Sequence, residues 1–170
     1  NLTTPPLWNT IKTISAMKGD IPMRRADREV TELSELLRIM EQCDVCRLAL
    51  HNGAYPYILP LNFGLAVQDN TVKLYFHGAT EGTKLELMQK DDRASFEMDC
   101  AHELITDPER GYCTMEYQSV IGQGRLAILP DDEKLEALRC LMKQYHKETF
   151  PFSTAALPRT TVFQLTVEHM

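Results

Sequence analysis

No run in this 170-residue chain approaches the roughly eighteen consecutive apolar residues of a membrane-spanning helix, and the first twenty residues lack the unbroken apolar stretch of a signal peptide. A soluble, cytoplasmic protein with no membrane partner is therefore expected. Positive charge is in deficit as well. Eighteen Lys and Arg face 24 Asp and Glu, a net charge of −6, which is the wrong sign for neutralising a phosphate backbone; no nucleic-acid partner is expected. Five scattered cysteines fit reduced thiols better than a disulfide framework. The chain also lacks GxSxG, a Walker loop, HExxH, and a GxGxxG placed after a strand, so hydrolase and Rossmann readings lose their support. Internal repeats and low-complexity tracts are absent too.

What is present suffices for one ordinary domain. The chain is 44% hydrophobic, and a domain of this size buries about 70% of the surface its unfolded chain exposes. Residues 1–20 carry Pro5, Pro6 and Trp8 without a sustained period and read as an N-terminal extension to a domain spanning 21–170. Val30, Leu33, Leu36, Leu37 and Met40 recur at helical spacing, with Asp27 or Thr31 as the cap. Strand chemistry follows at 47–50 and 55–63, with Asn52-Gly53 between them as a type I′ hairpin turn. A second hairpin joins 63–68 to 72–77 through Asp69-Asn70. Thr83-Lys84-Leu85-Glu86 fits a capping box at the start of a short helix over 83–90. Strands are expected at 93–99 and 115–129, separated by a loop over 101–111, and the second of them holds Gly122 and Gly124. Asp131, Asp132 and Glu133 place negative charge in the first turn of a helix with Leu135, Leu138, Leu141, Met142 and Tyr145 on its apolar face. A β-branched strand over 161–167 closes the chain. Strands and helices do not alternate as in a parallel sheet, so the expected class is mainly β with flanking helices: an antiparallel barrel with helices packed outside.

Few residues carry chemistry by spacing alone. Cys43-Asp44-Val45-Cys46 has the gap of a redox or zinc half-site, but it lies at a helix end and its second pair, Cys100 with Cys113 near His102, is irregular; structural cysteines and no metal are expected. The five histidines have no nucleophile partner. The run His77-Gly78-Ala79-Thr80-Glu81-Gly82-Thr83-Lys84 differs, since it passes from a strand through small residues into a helix start. Free amides, the helix dipole and the Lys84 ammonium would converge there on an anion. The plain alternative is that Gly78 and Gly82 only make turns while Lys84 is solvated.

Four blocks in order, Met23-Arg24-Arg25-Ala26-Asp27-Arg28-Glu29-Val30, Tyr55-Pro56-Tyr57-Ile58-Leu59-Pro60-Leu61-Asn62-Phe63-Gly64, Leu74 through Lys84-Leu85, and Ser119-Val120-Ile121-Gly122-Gln123-Gly124-Arg125, resemble the 5-nitroimidazole-resistance (Nim) family. That family belongs to the pyridoxamine 5′-phosphate oxidase-like flavoproteins. The resemblance covers about residues 23–167 and implies an FMN-binding split β-barrel homodimer with two FMN molecules at the subunit interface. It implies that Pro60, Leu61, Asn62 and Phe63 line the flavin, that His77 lies near its ring or the substrate side, and that Thr83 and Lys84 hold the phosphate. Ser119, Val120, Ile121 and Gly122 would approach the cofactor from the partner subunit. Family members often carry a bulky cation just before the lysine, whereas this chain has Thr83, so Arg24 or Arg25 would supply a further cation.

The activity implied is an FMN-dependent oxidoreductase reducing nitroimidazole-type or related small-molecule acceptors, with His77 positioning or protonating the substrate. His77 as an ordinary hydrogen-bonded ring at a strand end stays open beside this. So do oxidation of a pyridoxamine-phosphate-like substrate and a non-catalytic flavin- or haem-holding barrel.

Overall fold

The structure is a computed structural model and describes residues 25–146, 151 and 153–170. The extension over 1–20 and Arg24 lie outside the described residues.

Seven strands form one antiparallel sheet: β1 (Cys46–Leu50), β2 (Tyr57–Leu61), β3 (Gly64–Gln68), β4 (Thr71–Gly78), β5 (Arg93–Asp107), β6 (Tyr112–Ile128) and β7 (Thr161–His169). Their spatial order is β2-β1-β5-β6-β7-β4-β3, which places β2 and β3 at opposite edges. Yet only Asn62 and Phe63 separate β2 from β3 in the chain. Such a link spans at most roughly 11 Å. In a flat seven-stranded sheet the two edges would lie roughly 29 Å apart. The sheet must therefore curl until its edges nearly meet, and since β2 and β3 do not pair, the barrel stays open along that seam.

The inward faces fill the curl. Leu48, Leu50, Phe63, Leu74, Phe76, Phe96, Met98, Val120, Phe163 and Leu165 are almost completely buried in one cluster. Helix α1 (Leu33–Gln42) adds Leu36, Leu37, Ile39 and Met40, and α2 (Thr83–Lys90) adds Leu85, Leu87 and Met88. Helix α3 (Lys134–Tyr145) packs on the outside, where Ala137, Leu138 and Cys140 meet Tyr75, Val162 and Ala66.

Several expectations need correction. The residue preceding α1 is Glu32, with no side-chain cap, so neither Asp27 nor Thr31 serves. The β1–β2 connection runs over residues 51–56 rather than a two-residue turn, and only Gly53 of the Asn52-Gly53 pair takes positive φ, +62°. Asp69 and Asn70 do make the tight turn, with φ of +50° and +62°. Asp131, Asp132 and Glu133 precede α3 instead of forming its first turn. The expected loop over 101–111 is mostly strand. β5 and β6 pair out to Asp107 and Tyr112, interrupted where Ala101 and His102 together oppose Tyr117 in a bulge, with Ala101 at φ +55°. Both faces of this arm are open to solvent, so its residues lack the alternation by which a half-buried strand is recognised.

Helix α3 can lie close to β3 because of Gly64. A Cβ there would stand 2.5 Å from the Leu141 backbone nitrogen, and next to it the Cys140 thiol bonds the Leu65 carbonyl at 3.2 Å. Backbone cannot swing aside as a side-chain tip can. Gly64→Ala should cost about 1–3 kcal/mol in urea denaturation, and an unchanged midpoint would contradict this close seating of α3.

Candidate functional site

The corner after β4 is built by alternation followed by a glycine. Val72, Leu74 and Phe76 point inward, His77 is exposed, and the ladder to β7 ends with His77 opposite Val162 and Gly78 opposite Thr161. The exposed residues 79–82 lead to Gly82, whose φ of +121° suits only glycine, and α2 starts at Thr83. The amides of Leu85 and Glu86 already donate to the Gly82 carbonyl, at 3.0 and 3.4 Å, leaving those of Thr83 and Lys84 without an intrahelical acceptor. The capping box is thus not formed: Gly82 takes the cap position and Thr83 is the first helical residue, its hydroxyl not spent as a cap.

Lys84 folds back over Gly78. A Cβ on Gly78 would lie 2.5 Å from Lys84 Nζ and 2.8 Å from its Cε, so a side chain at 78 would evict the ammonium. Lys84 is half-buried and forms no ion pair with any described carboxylate. Desolvation by surrounding protein, and then repulsion from this ammonium, hold the His77 imidazole below its usual pKa, so it is neutral at pH 7. Two amides without an intrahelical acceptor, a hydroxyl and an ammonium without a described carboxylate partner, all belonging to the first two residues of one helix, match the donor types that a phosphate monoester takes.

The β2–β3 crossing brings a second segment to this end of the barrel. Gly64 pairs with Tyr75; Asn62 lies two residues before the one and His77 two residues after the other. Pro60 and Asn62 are exposed and Leu61 is half-buried, whereas the Phe63 ring is fully buried in the core. Phe63 therefore offers this corner backbone only. Its amide donates to Tyr145 Oη at 3.0 Å, and Tyr145 Oη donates to the Asp44 carbonyl at 2.8 Å.

The third segment sits apart within one subunit. Ser119 and Ile121 face outward, while Val120 and Gly122 face the core. Pairing aligns Pro60, Arg47, Glu97 and Ile121 across four strands on the outer face, which puts Ile121 about 14 Å around the sheet from Pro60. Arg25 is exposed and held by Asp27 at 2.8 and 2.7 Å.

That outer face carries groups the sequence did not single out. Arg47 reaches Asp99 at 2.5 Å and Glu97 at 3.0 Å, His102 Nε2 meets the other Asp99 oxygen at 2.6 Å, and the His102 ring stacks on Tyr117. The Arg47 guanidinium holds the Asp99 carboxyl below the usual range. Arg47 meets Glu97 and Asp99 only because β1 pairs with β5, fifty positions away, which no local pattern announces. The cysteine pair shows no reactive character: burial pushes the Cys43 and Cys46 thiols up to about 12, and Cys43 donates to the Ile39 carbonyl at 3.2 Å. Among the described residues no group of three His, Cys, Asp or Glu is arranged to hold a metal.

A family profile described as pyridoxamine 5′-phosphate oxidase matches residues 32–170. The chain belongs to that family. No curated protein matches it. Among solved structures, a candidate 5-nitroimidazole antibiotic resistance protein from Bacteroides thetaiotaomicron is 25% identical, with 82% of each chain covered and a TM-score of 0.70. An FAD- and haem-binding protein from Mycobacterium smegmatis is 20% identical over 81% of this chain and 67% of its own, at a TM-score of 0.68. The flavocytochrome Anf3 from Azotobacter vinelandii is 15% identical over 80% of this chain and 64% of its own, at 0.62. At those identities the last two share the fold. The open antiparallel barrel expected from the sequence is thus the split barrel of this family.

If Lys84 lies beside His77, the imidazole should titrate below an exposed histidine in an NMR pH series. Lys84→Met should raise its pKa only part of the way, because desolvation is the larger cause. No movement in that variant would remove the ammonium from the corner.

Proposed function

We propose that the chain is an FMN-dependent oxidoreductase that reduces nitroimidazole-type or related small-molecule acceptors, working as a cytoplasmic homodimer with FMN at the subunit interface. The observation that carries this reading is the half-buried Lys84 ammonium, unpaired with any described carboxylate and folded over Gly78 at the head of α2. An acidic protein holds a phosphate near −2 only by concentrating donors locally, and this corner does so.

In this reading the Thr83 and Lys84 amides, the Thr83 hydroxyl and the Lys84 ammonium bind the phosphate. Pro60, Leu61 and Asn62, with the Phe63 backbone, border the ring. Bound flavin supplies electrons to the acceptor's nitro group, as a hydride in the two-electron case. His77, neutral at pH 7, has one ring N–H to donate to a nitro oxygen and so orients the acceptor. Ser119 and Ile121 reach the cofactor only from a partner subunit, together with the backbone at Val120 and Gly122.

A second copy has a surface to cover. Leu104, Met115, Tyr117 and Ile121 are 50 to 67% exposed along one face of the β5–β6 arm and its base, an apolar stripe that a second copy would cover. Sedimentation should give a dimer, and a monomer that still binds FMN tightly would contradict the interface placement.

The FAD- and haem-binding neighbours favour a second reading, a barrel that holds flavin or haem without turnover. A visible spectrum separates the two. Flavin bands that bleach under reductant and recover with a nitroimidazole support the oxidoreductase; a Soret band supports haem. Lys84→Ala should weaken FMN by roughly tenfold to a hundredfold, about 1.5–3 kcal/mol, with the fold intact, and unchanged affinity would remove Lys84 from the site.

A further inference from the structure

The two-residue crossing from β2 to β3 leaves the Phe63 amide between two strands that do not pair, so no ladder takes its proton. A buried donor without a partner is costly, and here the acceptor is Tyr145 Oη at 3.0 Å, from the last turn of α3. The same hydroxyl donates its proton to the Asp44 carbonyl, 2.8 Å away, between α1 and β1. One oxygen thus ties the crossing to two other parts of the fold. The neighbouring Gln144 acts differently: its Nε2 spans the Met40, Glu41 and Cys43 carbonyls at 3.1 to 3.3 Å, closing the end of α1 without touching the crossing.

Phe63 is pinned twice, by its ring in the core and by its amide on Tyr145, and Asn62 is the exposed residue immediately before it. We infer that Tyr145 is a positioning residue of the cofactor corner: its hydroxyl sets the peptide that presents Asn62 beside His77. The inference rests on the flavin reading above and adds a residue some eighty positions from the segment it orients. Tyr145→Phe removes the hydroxyl tie and leaves the ring and its packing in place.

The test compares Tyr145→Phe with Gln144→Ala in the full chain, reading Phe63 amide hydrogen exchange, melting temperature and FMN dissociation constant. Tyr145→Phe should speed exchange at Phe63 and weaken FMN roughly tenfold, whereas Gln144→Ala should lower the melting temperature and leave FMN affinity unchanged. Exchange at Phe63 that is already unprotected in the wild-type chain, or unaltered in Tyr145→Phe, overturns the tie itself. Faster exchange with unchanged FMN affinity, or equal FMN losses in both variants, overturns the positioning role. A wild-type chain that takes up no FMN overturns the flavin reading and this role with it, and the exchange data then report on the tie alone.

Discussion

The architecture turns on two residues. Asn62 and Phe63 join strands that the pairing order places at opposite edges of a seven-stranded sheet, and a link that short forces the sheet to curl. Curling creates the interior that Phe63, Phe76, Phe96 and Phe163 fill. It also brings the end of β2 to the end of β4, so that Asn62 and His77 border one corner. Fold and candidate site are therefore consequences of the same constraint, and the Phe63 amide, left without a strand partner at the crossing, finds one on α3.

Local charge completes the corner. Several basic side chains are committed to carboxylates: Arg47 to Glu97 and Asp99, Arg93 to Asp91, and Arg125 to Asp92 and Glu168. These pairs lie at the surface and contribute little to stability. Lys84 is half-buried over Gly78, which makes room for its stem, and no described carboxylate neutralises it.

How much of this was legible in the sequence follows from the range of each interaction. Asp69-Asn70, the β-branched closing strand and the apolar face of α1 are local signals and agree with the structure, except that Val30 precedes α1 and is exposed. The capping box failed because a glycine one residue earlier offered the chain a turn no other residue can make, which displaced Thr83 from the cap. Residues 101–111 read as a loop because neither face of the β5–β6 arm is buried in this chain. Pro60 through Phe63 read as one site block, but only the fold shows that Phe63 turns inward while Asn62 stays out. The Arg47–Asp99–His102 network and the Tyr145 tie join residues fifty or more positions apart in the first case and more than eighty in the second, beyond any spacing rule.

The account rests on a phosphate-sized anion being gripped where β4 gives way to α2. Crystals of the protein grown with FMN test this most directly. The phosphate should lie on the Thr83 and Lys84 amides, with Lys84 Nζ within hydrogen-bond distance and Ser119 of a second subunit near the ring. FMN bound elsewhere, or this corner closed by the protein's own side chains, would contradict it.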